Sequence, residues 1–507
     1  MDIKKTLFIG LTLLITLNLN AQNLMDSVYN EPYRPQLHFS AKEKWMNDPN
    51  GMVYYNGLYH LFFQYYPNGI TWGPMHWGHA TSNDLVHWQQ QQIALFPDSL
   101  GYIFSGSAVV DKHNTTGLGK NGQVPLVAIF THHDPIGEKA GTNTFQYQSL
   151  AYSLDEGKTW EKYSGNPVLK NPGIRDFRDP SVQWYAPQKK WVMTLATKDR
   201  VTFYSSPNLK EWRKESEFGS NIGAHLGVWE CPNLFKLKLK EKTYWVLMVS
   251  VNPGGPNGGS ATQYFIGDFN GTEFKTSVPN PVTKWADYGP DDYAGVTWSN
   301  TGNRKIFLGW MTNWTYAQQV PTEKWRSAMT VPRELKLMEV NNDVFLRSTP
   351  VKELKDLEAS NRNLTGTIQS TNAITLDISN KLLFKLNIDF DKIGEFTLVM
   401  ENNNGNKLEI GYDSNTKAYY INRSKSGIVD FNPEFPKLIS APRLTSTVVT
   451  RLELILDASS VEVFADNGLT VLTSTYFTKN PFNKLTIKKN KNTAVKTAKI
   501  AGLKSIW

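Results

Sequence analysis

Cysteine is all but absent from these 507 residues, with Cys231 standing alone. An intramolecular disulfide is therefore excluded, and stability has to come from a large apolar core. A chain of this length is ample to build one over two domains. Long apolar runs are also missing, with one exception at the N-terminus, so no later segment reaches the length that crosses a bilayer. Concentrated charge of one sign is lacking too. The net charge of +8 is spread along the chain except for a lysine-rich segment at 484–504, where the alternation Leu485-Thr486-Ile487-Lys488 marks the solvated face of a strand. A nucleic-acid binder needs a basic stripe with stacking aromatics on one module, and none is present.

The N-terminal exception is residues 1–21, with Lys4 and Lys5, an apolar run at 7–19 and a small residue at Ala21. This pattern is a secretory signal peptide, too short and wrongly flanked for a membrane span. No cysteine follows it to carry a lipid anchor, so the mature protein is expected to be soluble and either secreted or periplasmic.

What the chain has in quantity is aromatic side chains, 12% of the total with 16 Trp and 22 Tyr. Ring faces stack on the C–H faces of sugars, but aromatics equally suit a β-rich core. Between residues 45 and 335 short β-type runs alternate with Gly, Pro, Asn and Asp clusters, and no long helical period appears. A degenerate repeat runs through this region: small polar residues, a turn with Asp or Asn, then an aromatic at Trp88, Trp160, Trp212 and Phe274. Intervals of 72, 52 and 62 residues fit four-stranded propeller blades with long loops, and a further strand set near 295–314 makes five. A large β-sandwich would not explain the recurring hairpin and aromatic. One copy, Ser153-Leu-Asp155-Glu-Gly157-Lys-Thr159-Trp160, matches the turn that recurs in sialidase propellers and reads as structural.

Past a looser stretch at 341–359, expected to be a linker, alternation strengthens at 382–390, 396–400, 407–412, 452–456 and 461–464. Turns such as Asn402-Asn403-Asn404-Gly405 and Asp466-Asn467-Gly468 join these runs, as a β-sandwich requires. Tryptophan follows the same division, since only Trp507 occurs after Trp325. The expected organisation is all-β: a signal peptide at 1–21, a five-bladed propeller at 22–340 carrying the chemistry, and a sandwich at 360–507 bracing it.

Three acids stand next to proline or one residue from it. Asp48 lies in Trp45-Met46-Asn47-Asp48-Pro49-Asn50-Gly51, where a rigid turn at a strand edge would hold a nucleophile in place before substrate arrives. Asp179, in Phe177-Arg178-Asp179-Pro180, has a guanidinium beside it in sequence and is expected to stay ionised. Glu230, in Trp229-Glu230-Cys231-Pro232, has apolar neighbours whose desolvation favours the protonated form that a proton donor needs. One ionised and one protonatable carboxyl is the division of labour in glycoside cleavage.

These stretches, together with Phe62-Phe-Gln64-Tyr65, Trp77-Gly-His79-Ala-Thr-Ser82, Phe104-Ser105-Gly-Ser107 and Leu308-Gly-Trp310-Met-Thr-Asn-Trp314, occur in an order that resembles glycoside hydrolase family 32. That family comprises the invertases, inulinases and levanases. The late run Ser460-Val-Glu-Val-Phe464 resembles its C-terminal sandwich. The resemblance implies a five-bladed propeller with a funnel-shaped site and a retaining mechanism acting on fructans such as levan and inulin, and on sucrose. By it Asp48 is the nucleophile, Glu230 the acid and base, and Asp179 a stabiliser that grips fructose hydroxyls, with Arg178 bridging hydroxyl and carboxylate. Asn47, Gln64, Trp72, Phe104, Ser105 and Trp310 form the surrounding shell. A retaining enzyme places its two carboxyls about 5–5.5 Å apart.

The sequence departs from the family at Asn233, where an acid usually follows Glu-Cys-Pro. Losing that negative charge is expected to shift the activity optimum towards acid. His76, His79, His87, His132 and His133 lack the paired spacing of a zinc site, and the mechanism needs neither metal nor cofactor. Rival readings are an endo-acting levanase or inulinase, a fructosyltransferase, and a non-catalytic carbohydrate-binding propeller; a sialidase would need an arginine cluster and a nucleophilic tyrosine that are not identifiable here.

Overall fold

The structure, a computed structural model, describes residues 28–507 except 280 and 380–382. The expected signal peptide and Leu382, the first residue of one expected strand, lie outside them. Five sheets, antiparallel but for one short parallel pairing in the first, occupy the first two thirds of the described chain. Their innermost strands are Lys44–Tyr55, Tyr102–Val110, Phe177–Tyr185, Val228–Leu239 and Tyr293–Thr297. Each of these strands neighbours the next, and the fifth returns to the first, which closes the ring of a five-bladed propeller. The fifth blade also packs on the first through a parallel bridge from Ser299 to Val53. The short strand Trp325–Arg326 adds to the first sheet alongside Lys44–Tyr55.

The sequence repeat is the turn that leads into the fourth strand of successive blades. Trp88, Trp160 and Trp212 each send the indole N–H back to a carbonyl three residues earlier, on Leu85, Gly157 and Leu209, at 3.0–3.1 Å. Ser82, Ser153 and Ser206 bond Asp84, Asp155 and Asn208 within the same turns. Leu85 and Leu209 have φ of 68° and 65°, left-handed values that these local bonds stabilise. The repeat is thus a folding device.

The fifth blade corrects the expected linker. Asp343–Pro350 is a strand that pairs with Arg333–Val340 through a hairpin at Asn341 and Asn342. Those two residues have φ of 52° and 63°, the left-handed pair that tight hairpins favour in asparagine. What looked like a loosened pattern is a turn inside the blade.

Two six-stranded sheets follow. The strand expected at 382–390 runs from Phe384 to Lys392, and its alternation turns Phe384, Leu386, Ile388 and Phe390 inward. They meet Leu398, Met400, Leu408 and Ile410 of the facing sheet in one continuous core. A second core joins the sandwich to the propeller: Ile455, Phe464 and Val471 pack with Met46, Leu61, Trp298 and Val331 of the first and fifth blades and with Phe39 of the segment ahead of them.

Buried charge reinforces that contact. Arg333, fully buried, donates to Asp287 and Asp292 at 2.9 Å and to Glu462 of the sandwich at 3.0 Å. Arg423 of the sandwich donates to Asp291 at 2.6 Å. His38, from the segment ahead of the first blade, sits between Asp457 at 2.6 Å and Glu462 at 2.7 Å.

Candidate active site

All five innermost strands carry the same irregularity at the same depth. Asn47 and Asp48 together oppose a single residue, Gln64. Phe104 and Ser105 oppose Thr131, Asp179 and Pro180 oppose Leu195, Cys231 and Pro232 oppose Val249, and Ala294 and Gly295 oppose Gly309. A bulge with two residues against one bends its strand and re-aims a side chain. Asp179, Cys231 and Ala294 accept φ of 63°, 47° and 53° for it, a conformation that costs on the order of 1 kcal/mol or more per residue. The acids therefore sit at bulges inside strands, where the sequence reading placed them at turns. Proline explains the mismatch, because within sheets it is tolerated at bulges as it is in turns.

The bulges bring the three acids together on the propeller axis. Asp48 accepts from the amide of Asn47 at 2.9 Å and from the Ser105 hydroxyl at 2.8 Å. The Cys231 thiol lies 3.6 Å from Asp48 Oδ2 and 3.7 Å from Asp179 Oδ2, and the Cys231 backbone N–H donates to Asp179 at 3.0 Å. Glu230 Oε1 accepts from Arg178 Nη2 at 3.0 Å and Nε at 3.2 Å, and its Oε2 accepts a short bond from the Tyr293 hydroxyl. Asp48, Ser105, Asp179, Glu230 and Tyr293 thus represent all five blades. Asp48 and Glu230 are half-buried and open to the funnel, whereas Asp179 is recessed.

The electrostatics differ from the sequence expectation at Asp179. Arg178 aims its guanidinium at Glu230 and, at 2.7 Å, at Asp176, while Asp179 faces Cys231. Burial first, then the charges of Glu230 and Asp48, push Asp179 up to about 7 against the opposing pull of Arg178. Burial and Glu230 also raise Asp48, partly offset by its bonds to Asn47 and Ser105. Arg178 is held charged: burial opposes this, but Glu230, Asp179 and Asp176 prevail. Like charges this close in a desolvated site resist simultaneous ionisation, so the cluster retains a proton near neutral pH. Trp229, next to Glu230 in sequence, points into the core between the third and fourth blades. Strand alternation keeps it from contributing to the Glu230 environment.

The shell residues fall into four groups. Asn47 and Ser105 bond the Asp48 carboxylate directly, and Asn47 is itself held by the Trp45 indole at 2.8 Å. Gln64 is buried at 2% exposure and its amide N–H group has no partner among the described residues, which leaves a donor for a ligand. Trp72, 39% exposed, stands edge-on to Phe104 at 6.1 Å, and Phe104 in turn stacks on His133 at 4.3 Å. Trp310 is fully buried, donates to the Met46 carbonyl at 3.1 Å, and packs against Trp45 and Trp314. It supports the first bulge from behind.

Sequence reasoning missed Tyr293 and Asp176. Tyr293 lies in Asp291-Asp292-Tyr293-Ala294-Gly295, where no proline marks the bulge. Asp176 was visible in Arg175-Asp176-Phe177-Arg178, two residues before the arginine it orients. The histidines take structural places: His79 stacks on Phe62 and His60, and His132 bonds Ser149 at 2.7 Å. Burial pushes His79 down to about 3 and His132 down to about 4, so both are neutral.

Comparison with known proteins agrees with this geometry. Residues 38–350 match the family model for the glycosyl hydrolases family 32 N-terminal domain, and residues 350–502 match its C-terminal counterpart. The chain is 45% identical to a levanase of Bacillus subtilis over 98% of its own length and 74% of the relative's. It is 41% identical to an extracellular exo-inulinase of Aspergillus niger, covering 89% of this chain and 91% of that one. The crystal structure of an Aspergillus awamori exo-inulinase superposes with a TM-score of 0.86 at 37% identity, over 94% of this chain and all of the other. A Schwanniomyces occidentalis fructofuranosidase complexed with fructose superposes at 0.84 with 32% identity, over 94% and 100% of the two chains. With family models matching nearly the whole described chain and relatives above 40% identity, the protein belongs to glycosyl hydrolase family 32 and is a glycoside hydrolase.

Proposed function

We propose that the protein is an exported, retaining β-fructosidase that releases terminal fructose from fructans and sucrose. The observation that carries this reading is the convergence of Asp48, Asp179 and Glu230 from three blades onto one axial pocket, with Arg178 gripping Glu230. Asp48, fixed by Asn47 and Ser105, attacks the anomeric carbon of the terminal fructose. Glu230 gives its proton to the departing glycosidic oxygen and then takes one from water, which releases fructose with its configuration retained. Asp179 and Arg178 hold ring hydroxyls and favour the oxocarbenium-like transition state. The free Gln64 amide adds a donor, and Trp72 and Phe104 form the wall. Export follows from the N-terminal 1–21 pattern, and a relative named as extracellular supports it.

Purified protein given levan, inulin and sucrose, with products resolved over time, tests the reading. Free fructose is expected as the only early product from either polymer. Oligosaccharides appearing first would make the enzyme endo-acting, longer products at high sucrose would make it a transferase, and no product from any of the three would leave a binding propeller.

Asn233 supplies a second test. Its Oδ1 accepts from Thr297 N at 3.1 Å and Thr297 Oγ1 at 2.9 Å, and its Nδ2 donates to Ser181 Oγ at 3.2 Å. An aspartate keeps the two accepted bonds and lets Ser181 donate, so Asn233→Asp is expected to fold. Its added charge behind Glu230 is expected to move the alkaline limb of the pH–rate profile upward. A limb that does not move removes residue 233 as a determinant of the optimum.

A further inference from the structure

On the far side of the bulges from Asp48 and Glu230 the propeller axis continues as a cavity of about 340 Å³. Its near end is a ring of small polar side chains, Asn50, Ser107, Ser181, Asn233 and Thr297, one from each blade. Most of their polar atoms are engaged with protein: Asn233 ties Ser181 to Thr297, and Ser107 bonds the Pro180 carbonyl and the Val182 N–H. Asn50 Oδ1, on a residue 1% exposed, has no partner among the described residues. The far mouth is different in kind. Lys305 from the fifth blade reaches it, as do Lys112 and His113 from the end of the second innermost strand.

Lys305 is an anomaly. Its ammonium makes no ion pair and no hydrogen bond among the described residues, and its neighbour is the Phe235 ring at 5.7 Å. Apart from Asp179 at the opposite end, no carboxylate lines the cavity. Burial alone accounts for the downward shift of Lys305, with no acid nearby to reverse it. A half-buried ammonium without a counter-charge, in a cavity whose other ionisable groups at that end are Lys112 and His113, is a site built for an anion.

We propose that the far end of the axial channel binds a small oxyanion of the phosphate or sulfate class, with Lys305 as its principal donor and Lys112 and His113 closing the mouth. The cavity exceeds what a single halide needs, and three cationic or ring N–H groups match several oxygens better than one sphere. Neither Asp48 nor Glu230 lines the cavity, and Asp179, Ser105 and Cys231 line only the end opposite Lys305, so the anion would sit at the end away from the fructose chemistry.

Calorimetric titration of inorganic phosphate, sulfate and chloride into the full-length protein at constant ionic strength tests this. One equivalent of phosphate or sulfate is expected to bind, and chloride at least tenfold more weakly. Lys305→Met keeps an unbranched side chain and removes the charge, so it is expected to weaken oxyanion binding tenfold or more. Lys112→Ala, an exposed change with no folding risk, is expected to weaken it at least twofold. Fructose release by both variants is expected to match the native rate. Absence of binding, equal affinity for chloride, or unchanged affinity in both variants would overturn the proposal. So would phosphate acting as a competitive inhibitor that raises KM for inulin, because that outcome places the anion in the funnel on Arg178.

Discussion

Asp48→Asn is expected to lower kcat on fructan on the order of 10⁴-fold or more while leaving the protein at least as stable as the native form. The carboxamide fits the site: its oxygen accepts from Asn47, and its nitrogen donates to Ser105 Oγ, which reverses the native direction of that bond. What it cannot do is attack the anomeric carbon. Stability should not fall, because the native carboxylate is held against burial and against the charge of Glu230, both of which raise it. Asp48 is also among the charges that push Asp179 up, so neutralising it relieves Asp179 as well. A functional site that is electrostatically strained trades stability for activity, and removing the strain reverses the trade. Initial rates on inulin and a thermal melt read the two halves separately. A loss of only tenfold would remove Asp48 as the nucleophile. A melting point several degrees lower would mean that the carboxylate has a structural task.

How much of this site was legible in the sequence depends on which property is asked for. The three acids were marked by proline at Asp48-Pro49, Asp179-Pro180 and Cys231-Pro232, since proline is admitted to a strand only where the ladder is broken. The same signal misled the local geometry, because a bulge and a turn recruit the same residues. Tyr293 has no proline after it, and its bulge is specified by Gly295, which lies against the Phe307 ring where a Cβ would not fit, a contact that only the folded blade creates. The environment of each acid was least legible. Chain neighbours suggested Arg178 for Asp179 and Trp229 for Glu230, but alternation along a strand sends adjacent side chains to opposite faces. Arg178 therefore serves Glu230, 52 positions away, and Trp229 serves the core. At the level of the fold, the aromatic of the repeated turn was visible because each blade solves the same local problem with the same few residues. The hairpin at Asn341 and Asn342 was hidden because two asparagines in a polar stretch look alike whether they turn a strand or loosen a chain.

Raising the pH from 6.5 through 9 is expected to remove about 3 kcal/mol of stability, and the group responsible is His38. Burial works to lower its affinity for a proton, but the bonds to Asp457 and Glu462 more than reverse this and carry it up to about 9 from an ordinary 6.5. A group whose folded pKa lies above its unfolded one binds its proton more tightly when folded. Its contribution is complete below about 6.5, declines through the interval, and is gone above about 9. The partners support the same sign, since Glu462 is held low by Arg333 and His38 against the cost of its burial. Asp457 also caps the backbone N–H groups of Gln36 and Leu37 at 2.8 Å, so the imidazolium fastens the N-terminal segment to the sandwich. His38→Leu leaves two buried carboxylates facing an apolar side chain. Breaking a buried pair in this way costs about 3–5 kcal/mol. Unfolding free energies by denaturant at pH 6 and pH 9 distinguish this from a packing defect. The native protein is expected to be the more stable at pH 6 and to lose most of its advantage over the variant by pH 9. Parallel pH curves for the two proteins would show that the imidazole carries no charge in the fold, and that the charged contacts between sandwich and propeller are those of Arg333 and Arg423.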